Sequence, residues 1–134
     1  MKYILFFIFI PIISIAQKKA AVDSIAKGVN YIKVYGVGFR ETVNHLLDVG
    51  YSIDKIDSNF QTVTTRYKEL KSGWDMYYDL RIKDSVLYIK AFCASGSYSF
   101  GRVENLKWTV WKATFTAMNN FANWFNKPIE YIKE

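Results

Sequence analysis

The sequence predicts one α+β domain, in which an antiparallel sheet of four to five strands carries two helices on one face. Three observations lead to this prediction. The segment Trp74–Cys93 alternates like a β-hairpin, Phe39–Val49 has helical spacing, and Asn105–Asn126 has the pattern of a long apolar helix. With the segments that flank them, the predicted order of elements is β-α-β-β-β-α-(β).

The hairpin fixes the expected register of the sheet, because successive side chains of a strand point to opposite faces. A turn at Asp84-Ser85 that pairs Lys83 with Val86 gathers apolar residues on one face, here called the inner face. The inner pairs are Ile82 with Leu87, Leu80 with Ile89, Tyr78 with Ala91, and Met76 with Cys93. The outer face receives charged and aromatic pairs, which are favourable across strands. These pairs are Asp79 with Lys90, Arg81 with Tyr88, and Tyr77 with Phe92.

A third strand is expected within Phe60–Leu70, which is rich in β-branched residues and precedes a turn at Ser72-Gly73. Pairing Lys71 with Trp74 sets its register against the hairpin. This register places Val63 beside Ile82, Thr65 beside Leu80, Tyr67 beside Tyr78, and Arg66 beside Asp79.

The first strand is expected at Val29–Tyr35, with Ile32 and Val34 on one face. A weak helix or a loose leader precedes it at Lys18–Lys27, and Gly28 ends that segment. The helix over Phe39–Val49 is expected to end at Gly50. Its predicted apolar face consists of Phe39, Val43, Leu46 and Leu47.

Three remaining segments complete the prediction. Asp54–Asn59 is expected to be a polar turn, and Ser95–Glu104, which is rich in serine and glycine, is expected to be a long loop. Ile129–Ile132 follows Pro128 and is expected to form a short last strand.

The polar residues of the helix Asn105–Asn126 gather on one side and leave an apolar arc of roughly 200°. An ordinary surface helix buries about half of that width. Either other elements cover both flanks of the arc, or one flank contacts a ligand or a partner. One flank consists of Trp108, Trp111, Phe115, Met118, Ala122 and Phe125. The other consists of Leu106, Val110, Ala113, Ala117, Phe121 and Trp124.

The first residues predict export. Lys2 is followed by an apolar run, Tyr3–Ile15, that is too short to span a bilayer comfortably, and Ser14 with Ala16 fits cleavage after Ala16. We expect a signal peptide over residues 1–16 and a single domain over residues 17–134. The expected location is periplasmic or secreted, with no stable membrane anchor after cleavage.

Composition and charge limit the classes of partner that we expect and exclude a disulfide-stabilised fold. The chain has 134 residues and a net charge of +6, which fits an acidic partner, an anionic surface or simple solubility. Exported proteins rarely meet nucleic acid, so no nucleic-acid partner is expected. Cys93 is the only cysteine, which excludes an intrachain disulfide and leaves stability to packing.

No motif predicts catalysis, a metal or a cofactor, and we expect a protein that is not an enzyme. His45, the only histidine, is expected to be a solvated helical side chain, and the register buries Cys93 as an inert thiol. Asp54 and Asp57 lack the spacing of a calcium loop. The segment Gly36-Val37-Gly38 lacks the remaining residues of a phosphate-binding loop.

The outer face of the sheet is the predicted binding surface, with a protein partner in the cell envelope. Basic and aromatic side chains alternate there, a pattern typical of surfaces that stack flat groups. The candidate residues are Arg66, Lys68, Tyr77, Arg81, Tyr88, Lys90 and Phe92, with Lys83 beside them. A solvated face with stabilising cross-strand pairs fits the same pattern.

Two alternative functions follow from other segments. The broad apolar arc of the last helix also fits a domain that holds a small apolar ligand between helix and sheet. The segment Gln61–Thr65 approaches the Gln-x-Val-x-Gly loop of cystatin-type inhibitors of cysteine proteases, but Thr65 stands where that loop has glycine.

The run from Gly38 to Thr65, GFRETVNHLLDVGYSIDKIDSNFQTVTT, resembles small exported bacterial domains in which Leu-Leu-x-x-Gly-Tyr precedes an Asp-rich turn and a Thr-rich strand. Gln17, directly after the expected cleavage site, is similar to exported proteins of Bacteroidota-type bacteria. The resemblance implies an α+β domain and no catalytic residues. A more distant likeness is to helix-grip domains, in which a C-terminal helix lies over an antiparallel sheet.

Overall fold

The computed structural model describes residues 25–26, 28–70, 73–95, 98–100 and 109–133. The described residues form an α+β fold with an antiparallel sheet of eight strands, in the order β2-β3-β5-β6-β1-β8 with β4 paired to β5 and β7 to β6. The strands are β1 Val29–Tyr35, β2 Ile53–Asp57, β3 Thr62–Thr65, β4 Lys68–Glu69, β5 Asp75–Lys83, β6 Val86–Ser95, β7 Tyr98–Phe100 and β8 Ile129–Lys133. The helices are α1 Phe39–Asp48 and α2 Thr109–Trp124.

The predicted fold class is confirmed, but the sheet is larger than four to five strands. Asp54–Asn59, predicted as a turn, instead contributes most of β2, and the turn follows it at residues 58–61. Ser95 ends β6 and Tyr98–Phe100 pairs back onto it, where a loop was expected. The polar composition of β2 was misleading because an edge strand can expose most of its side chains to water.

Several predictions concern residues outside the described part of the chain. They are the signal peptide over residues 1–16, residues 18–24 and 27 of the weak helix, residues 71–72 of the turn before Trp74, residues 96–97 and 101–104 of the loop, and residues 105–108 of the last helix.

The hairpin β5–β6 has the predicted register in every pair from Met76 with Cys93 to Lys83 with Val86. Asp84 and Ser85 both have positive φ, 53° and 60°, which is the backbone geometry of a two-residue type I′ turn. The Ser85 carbonyl accepts hydrogen bonds from Gly36 N and Val37 N at 2.7 and 3.1 Å. The hairpin turn is thereby joined to the segment that leads into α1.

The predicted register between β3 and β5 is wrong by two residues, since Val63 lies opposite Leu80 and Thr64 opposite Asp79. The register changes again at β4, where Lys68 lies opposite Met76. At this break the backbone N–H of Tyr78 donates to the Thr65 hydroxyl at 2.9 Å, so a side chain replaces a ladder bond. A shift by two residues keeps Val63 on the inner face. The change of register after Thr65 is a shift by one, so the residues that follow lie on the faces opposite to those predicted.

Strand β1 is an interior strand of the sheet, between β6 and the edge strand β8. Ile32 lies opposite Ile89 on one side and Tyr131 on the other. Ile32 and Val34 are fully buried, as predicted from their shared parity. The last strand extends to Lys133 and is therefore one residue longer than expected.

Helix α2 packs on the inner face and buries most of its described apolar residues. Its most extensive contacts with the sheet are to β6 and β1. Both flanks of the predicted arc contribute to the core, so packing accounts for most of the apolar surface of those arc residues whose burial is described. The buried members are Phe115, Met118, Phe121, Ala122 and Phe125, whereas Trp124 is 53% exposed.

Cys93 is a buried free thiol opposite Met76, as predicted. Burial raises the pKa of the thiol, so the reactive thiolate is disfavoured. Cys93 therefore serves the core as a small apolar side chain.

Candidate functional site

Most of the predicted binding residues lie on the outer face of the sheet. Strand β5 alternates strictly, with Met76, Tyr78, Leu80 and Ile82 buried on the inner face. Helix α2 lies against that inner face, since its Phe121 ring contacts Tyr78 of β5, and α1 packs on α2 through His45. Among the described elements, none covers the outer face.

Aromatic rings form one cluster on this face, across β5, β6 and the link between β3 and β4. The Tyr77 and Phe92 rings stack with centroids 5.0 Å apart and an interplanar angle of 15°. Tyr67 meets Tyr77 edge-on at 5.0 Å. Such contacts hold the rings in fixed positions and leave their remaining surface open to a partner.

Two cations lie over a second pair of rings, between β6 and β1. Tyr31 and Tyr88 have centroids 6.1 Å apart. Lys90 Nζ lies 5.5 Å from the centroid of Tyr31, and Lys33 Nζ lies 5.9 Å from that of Tyr88. Cation–π contacts at these distances restrain the lysine side chains on the aromatic surface.

A shallow pocket of about 480 Å³ lies on this part of the face. Its lining contains three cations and one carboxylate, so it carries excess positive charge. Arg81 and Lys83 form no ion pair with a residue in the described ranges. The lining residues are Tyr31, Asp79, Arg81, Lys83, Tyr88 and Lys90.

Five of the seven predicted surface residues lie together on the outer face. They are Tyr77, Arg81, Tyr88, Lys90 and Phe92. Arg66 lies at the margin of this group, where its Nε is 4.0 Å from Asp54 Oδ1. Arg66 and Tyr67 help to line a second open pocket of about 570 Å³ that reaches Tyr77.

The prediction that Lys68 lies on the outer face is wrong. The change of register at β4 places it opposite Met76, on the inner-face side. Its ammonium group donates to the Val49 carbonyl at 2.5 Å and lies 4.5 Å from the centroid of the Tyr51 ring. A cation at the last carbonyls of α1 is favourable. Lys68 therefore stabilises the end of a helix.

Sequence reasoning missed Tyr31, Lys33 and Tyr67 as members of the outer face. The alternation of β1 puts Tyr31 and Lys33 on the opposite parity from Ile32, so the signal was present. The missing information was that β1 lies beside β6. Tyr67 was expected beside Tyr78 on the inner face and instead packs on Tyr77, because of the same break that displaces Lys68.

The prediction of a solvated His45 is also wrong. His45 is 1% exposed, and Thr42 is fully buried beside it, whereas Leu47 is 54% exposed. The buried face of α1 is therefore rotated away from the predicted apolar stripe. Thr42 tolerates burial because its hydroxyl donates to the Gly38 carbonyl at 2.9 Å.

Aromatic rings of α2 surround the imidazole of His45. The Trp124 ring stacks on it at a centroid distance of 3.6 Å and 10°, and the Phe121 ring stacks at 4.7 Å and 19°. Phe125 presents its ring nearly perpendicular at 5.3 Å. The helix pair is thus held together by a cluster of rings, here called the His45 cluster, which consists of His45, Phe121, Trp124 and Phe125.

The His45 imidazole is not fully satisfied. Its Nδ1 is buried and has no hydrogen-bond partner among the described residues. Burial lowers the pKa of His45, and the nearby Asp48 offsets this only in part. A buried polar nitrogen without a partner costs about 1–3 kcal/mol, so its presence calls for an explanation beyond packing.

The remaining sequence candidates have local structural roles. Asp57 Oδ1 accepts hydrogen bonds from Asn59 N and Phe60 N at 2.9 and 3.0 Å and so fixes the turn after β2. Gly38 precedes α1, and its N–H donates to Glu41 Oε2 at 3.4 Å. Within the described ranges, acidic, histidine and cysteine side chains form no group of three that could hold a metal ion.

Comparison with known proteins gives no further assignment. No protein-family model matches this chain, and no curated protein matches it at a significant level. No helix in the described part of the chain is long and apolar enough to cross a membrane.

Proposed function

We propose that this chain is a binding module without enzymatic activity, and that its outer sheet face docks an acidic segment of a protein partner. The observation that supports the proposal best is the pocket in which Arg81, Lys83 and Lys90 outnumber the single carboxylate of Asp79 over an aromatic floor. We further propose that the protein is exported and meets this partner in the cell envelope.

The chemistry of the face suits a protein partner. Tyrosine and arginine are enriched among the residues that contribute most to protein interfaces, because they combine a broad apolar surface with hydrogen-bond donors. Tyr77 and Phe92 already stack on one another, so little side-chain freedom is lost when a partner covers them. Arg81 and Lys83 are exposed and therefore accessible to carboxylates.

The cystatin-like alternative has little structural support. Val63 corresponds to the valine of the inhibitory loop but is fully buried on the inner face. Only Gln61, with a φ of 51°, lies at the tip of the β2–β3 turn, although the whole segment was expected within a strand. A loop that inserts into a protease must expose its valine. The burial of this valine therefore supports a structural role for the segment rather than protease inhibition.

A defined probe tests the charge component. We expect a ten-residue oligoglutamate peptide, titrated into the ¹⁵N-labelled protein, to shift the amide resonances of β5, β6 and β1. Arg81→Glu combined with Lys90→Glu should weaken this binding at least about tenfold, and added salt should weaken it further. Arg40→Glu, on the exposed surface of α1, is the matched control and should have little effect.

Two results would reject the proposal. One is equal peptide binding by the charge-reversed protein and the Arg40→Glu control. The other is tight binding of a sulfated polysaccharide such as heparin when oligoglutamate does not bind, because the face would then recognise polyanions of another class.

The aromatic component is tested with the natural partner. Affinity capture from the envelope fraction should recover a partner whose amount falls when Tyr77→Ala and Arg81→Ala are combined. Binding of that partner should compete with oligoglutamate. A set of captured proteins that is unchanged in the double variant would show that the outer face is not the docking surface.

A further inference from the structure

A third pocket lies on the opposite side of the sheet, between α1, α2 and the inner face. Its volume is about 210 Å³. The pocket is a groove open to solvent, and this volume is enough for one ring. The lining residues are His45, Val49, Tyr51, Tyr78, Ala117, Asn120, Phe121 and Trp124.

The polar groups in and around the pocket differ in whether they have hydrogen-bond partners. The Tyr51 and Tyr78 rings contact one another with centroids 4.9 Å apart, and the Lys68 ammonium group near the mouth of the pocket donates to the Val49 carbonyl. His45 is the exception, since its buried Nδ1 has no partner in the described part of the chain. A neutral imidazole has one nitrogen that accepts a hydrogen bond and one that donates.

Trp124 covers the His45 imidazole at the edge of this pocket. Its ring lies flat on the imidazole at a centroid distance of 3.6 Å, yet 53% of the residue is exposed. It lies at the last position of α2, and Asn126, with a φ of 51°, follows shortly after the helix. Trp124 is the exposed ring of the His45 cluster, whereas Phe121 and Phe125 are buried, so a ligand that reaches the imidazole would displace Trp124.

We propose that this pocket binds a small neutral molecule that has an apolar body of about one ring and a hydroxyl group that hydrogen-bonds to His45. No lysine, arginine, aspartate or glutamate is among the described residues that line the pocket, so a charged ligand would lose hydration without touching a counter-charge. The apolar body takes the space between Phe121 and Tyr51, and the hydroxyl satisfies the imidazole. This site is independent of the outer-face proposal.

The probe is phenol, with toluene as a matched ligand of similar shape that lacks the hydroxyl. We expect phenol to shift the ¹H and ¹³C resonances of the His45 ring and the indole N–H of Trp124 in the full chain. Phenol should bind about tenfold more tightly than toluene, which is the effect of one hydrogen bond.

The variant His45→Phe keeps a flat ring in the cluster but removes both nitrogens. It should reduce phenol affinity to that of toluene and leave toluene affinity nearly unchanged. Leu47→Ala is the control, because Leu47 is exposed on α1 and does not line the pocket. It should leave both affinities as in the original chain.

Three results would overturn the proposal: no shift at His45 or Trp124 with millimolar phenol, equal affinities for phenol and toluene, or unchanged phenol binding in His45→Phe. The amide spectrum of each variant establishes that it is folded. Oligoglutamate binding to the same samples reports separately on the outer face, so failure of one site is distinguishable from failure of the other.

Discussion

The two faces of the β5–β6 hairpin are built from the same strands, yet they contribute differently to the protein. Leu80 on the inner face has no exposed surface, whereas its neighbour Arg81 on the outer face is exposed. Inner residues stabilise the fold by removing apolar surface from water. Outer residues contribute little to folding, so their identity is free to serve recognition.

The sharpest test of this difference compares two adjacent substitutions. Leu80→Ala should lower the free energy of unfolding by about 2–5 kcal/mol, because it leaves a cavity in the core. Arg81→Ala should change it by no more than about 0.5 kcal/mol. Urea unfolding followed by circular dichroism measures both. Similar losses at the two positions would show that the outer face is also structural.

Thiol reactivity provides a second comparison of the faces. Cys93 should react with a thiol reagent at least about a hundredfold more slowly in the folded protein than in denaturant, since reaction requires opening of the sheet. In the background Cys93→Ser, the variant Arg81→Cys should react fast under both conditions. A fast reaction of folded Cys93 would contradict its burial.

The pH dependence of stability tests the His45 cluster. Burial lowers the pKa of His45 below its ordinary value of 6.5, so the unfolded chain binds a proton more readily than the folded one. The free energy of unfolding should therefore fall as the pH drops below about 6.5, until the folded state is also protonated. Since the chain has one histidine, His45→Gln should remove this dependence between pH 5.5 and 7.5. A slope that persists in the variant would assign it to other groups.

The smallest expected effect is at the hairpin turn. Ser85 has a φ of 60°, which is strained for a residue with a side chain, so Ser85→Gly should raise the free energy of unfolding by about 0.5–1 kcal/mol. Ser52→Gly is the control, because Ser52 is exposed and does not have a positive φ. It should give no stabilisation, and a gain at both positions would mean that the backbone of the turn is not the cause.

The parts of the fold that follow from local pattern were predictable from sequence. The hairpin register was fixed because both of its strands alternate, and a slip by one residue would have buried charge. The parts that depend on distant partners were not predictable. Lys68 lies on the other face because the register of strand pairing changes after Thr65. His45 is buried because the rings of α2 cover it.

The same distinction between local pattern and distant partners applies to the candidate site. Tyr77, Arg81, Tyr88, Lys90 and Phe92 follow from the hairpin alone and lie together. Tyr31 joins them only because β1 is the neighbour of β6, and no local pattern states the order of strands in a sheet. The pocket beside His45 required the packing of two helices and was beyond sequence reasoning.

The position of β1 between β6 and the edge strand β8 has a consequence for the order of folding. The hairpin β5–β6 joins neighbouring segments, and such hairpins form within about 1–10 μs. Strand β1 must find β6 and also β8, where Val29 lies opposite Lys133, so its contacts require the closure of long loops and should form late. We expect pulse-labelling hydrogen exchange to protect Leu80 and Ile89 before Val34 during refolding. Simultaneous protection would instead indicate that the whole sheet forms in one step.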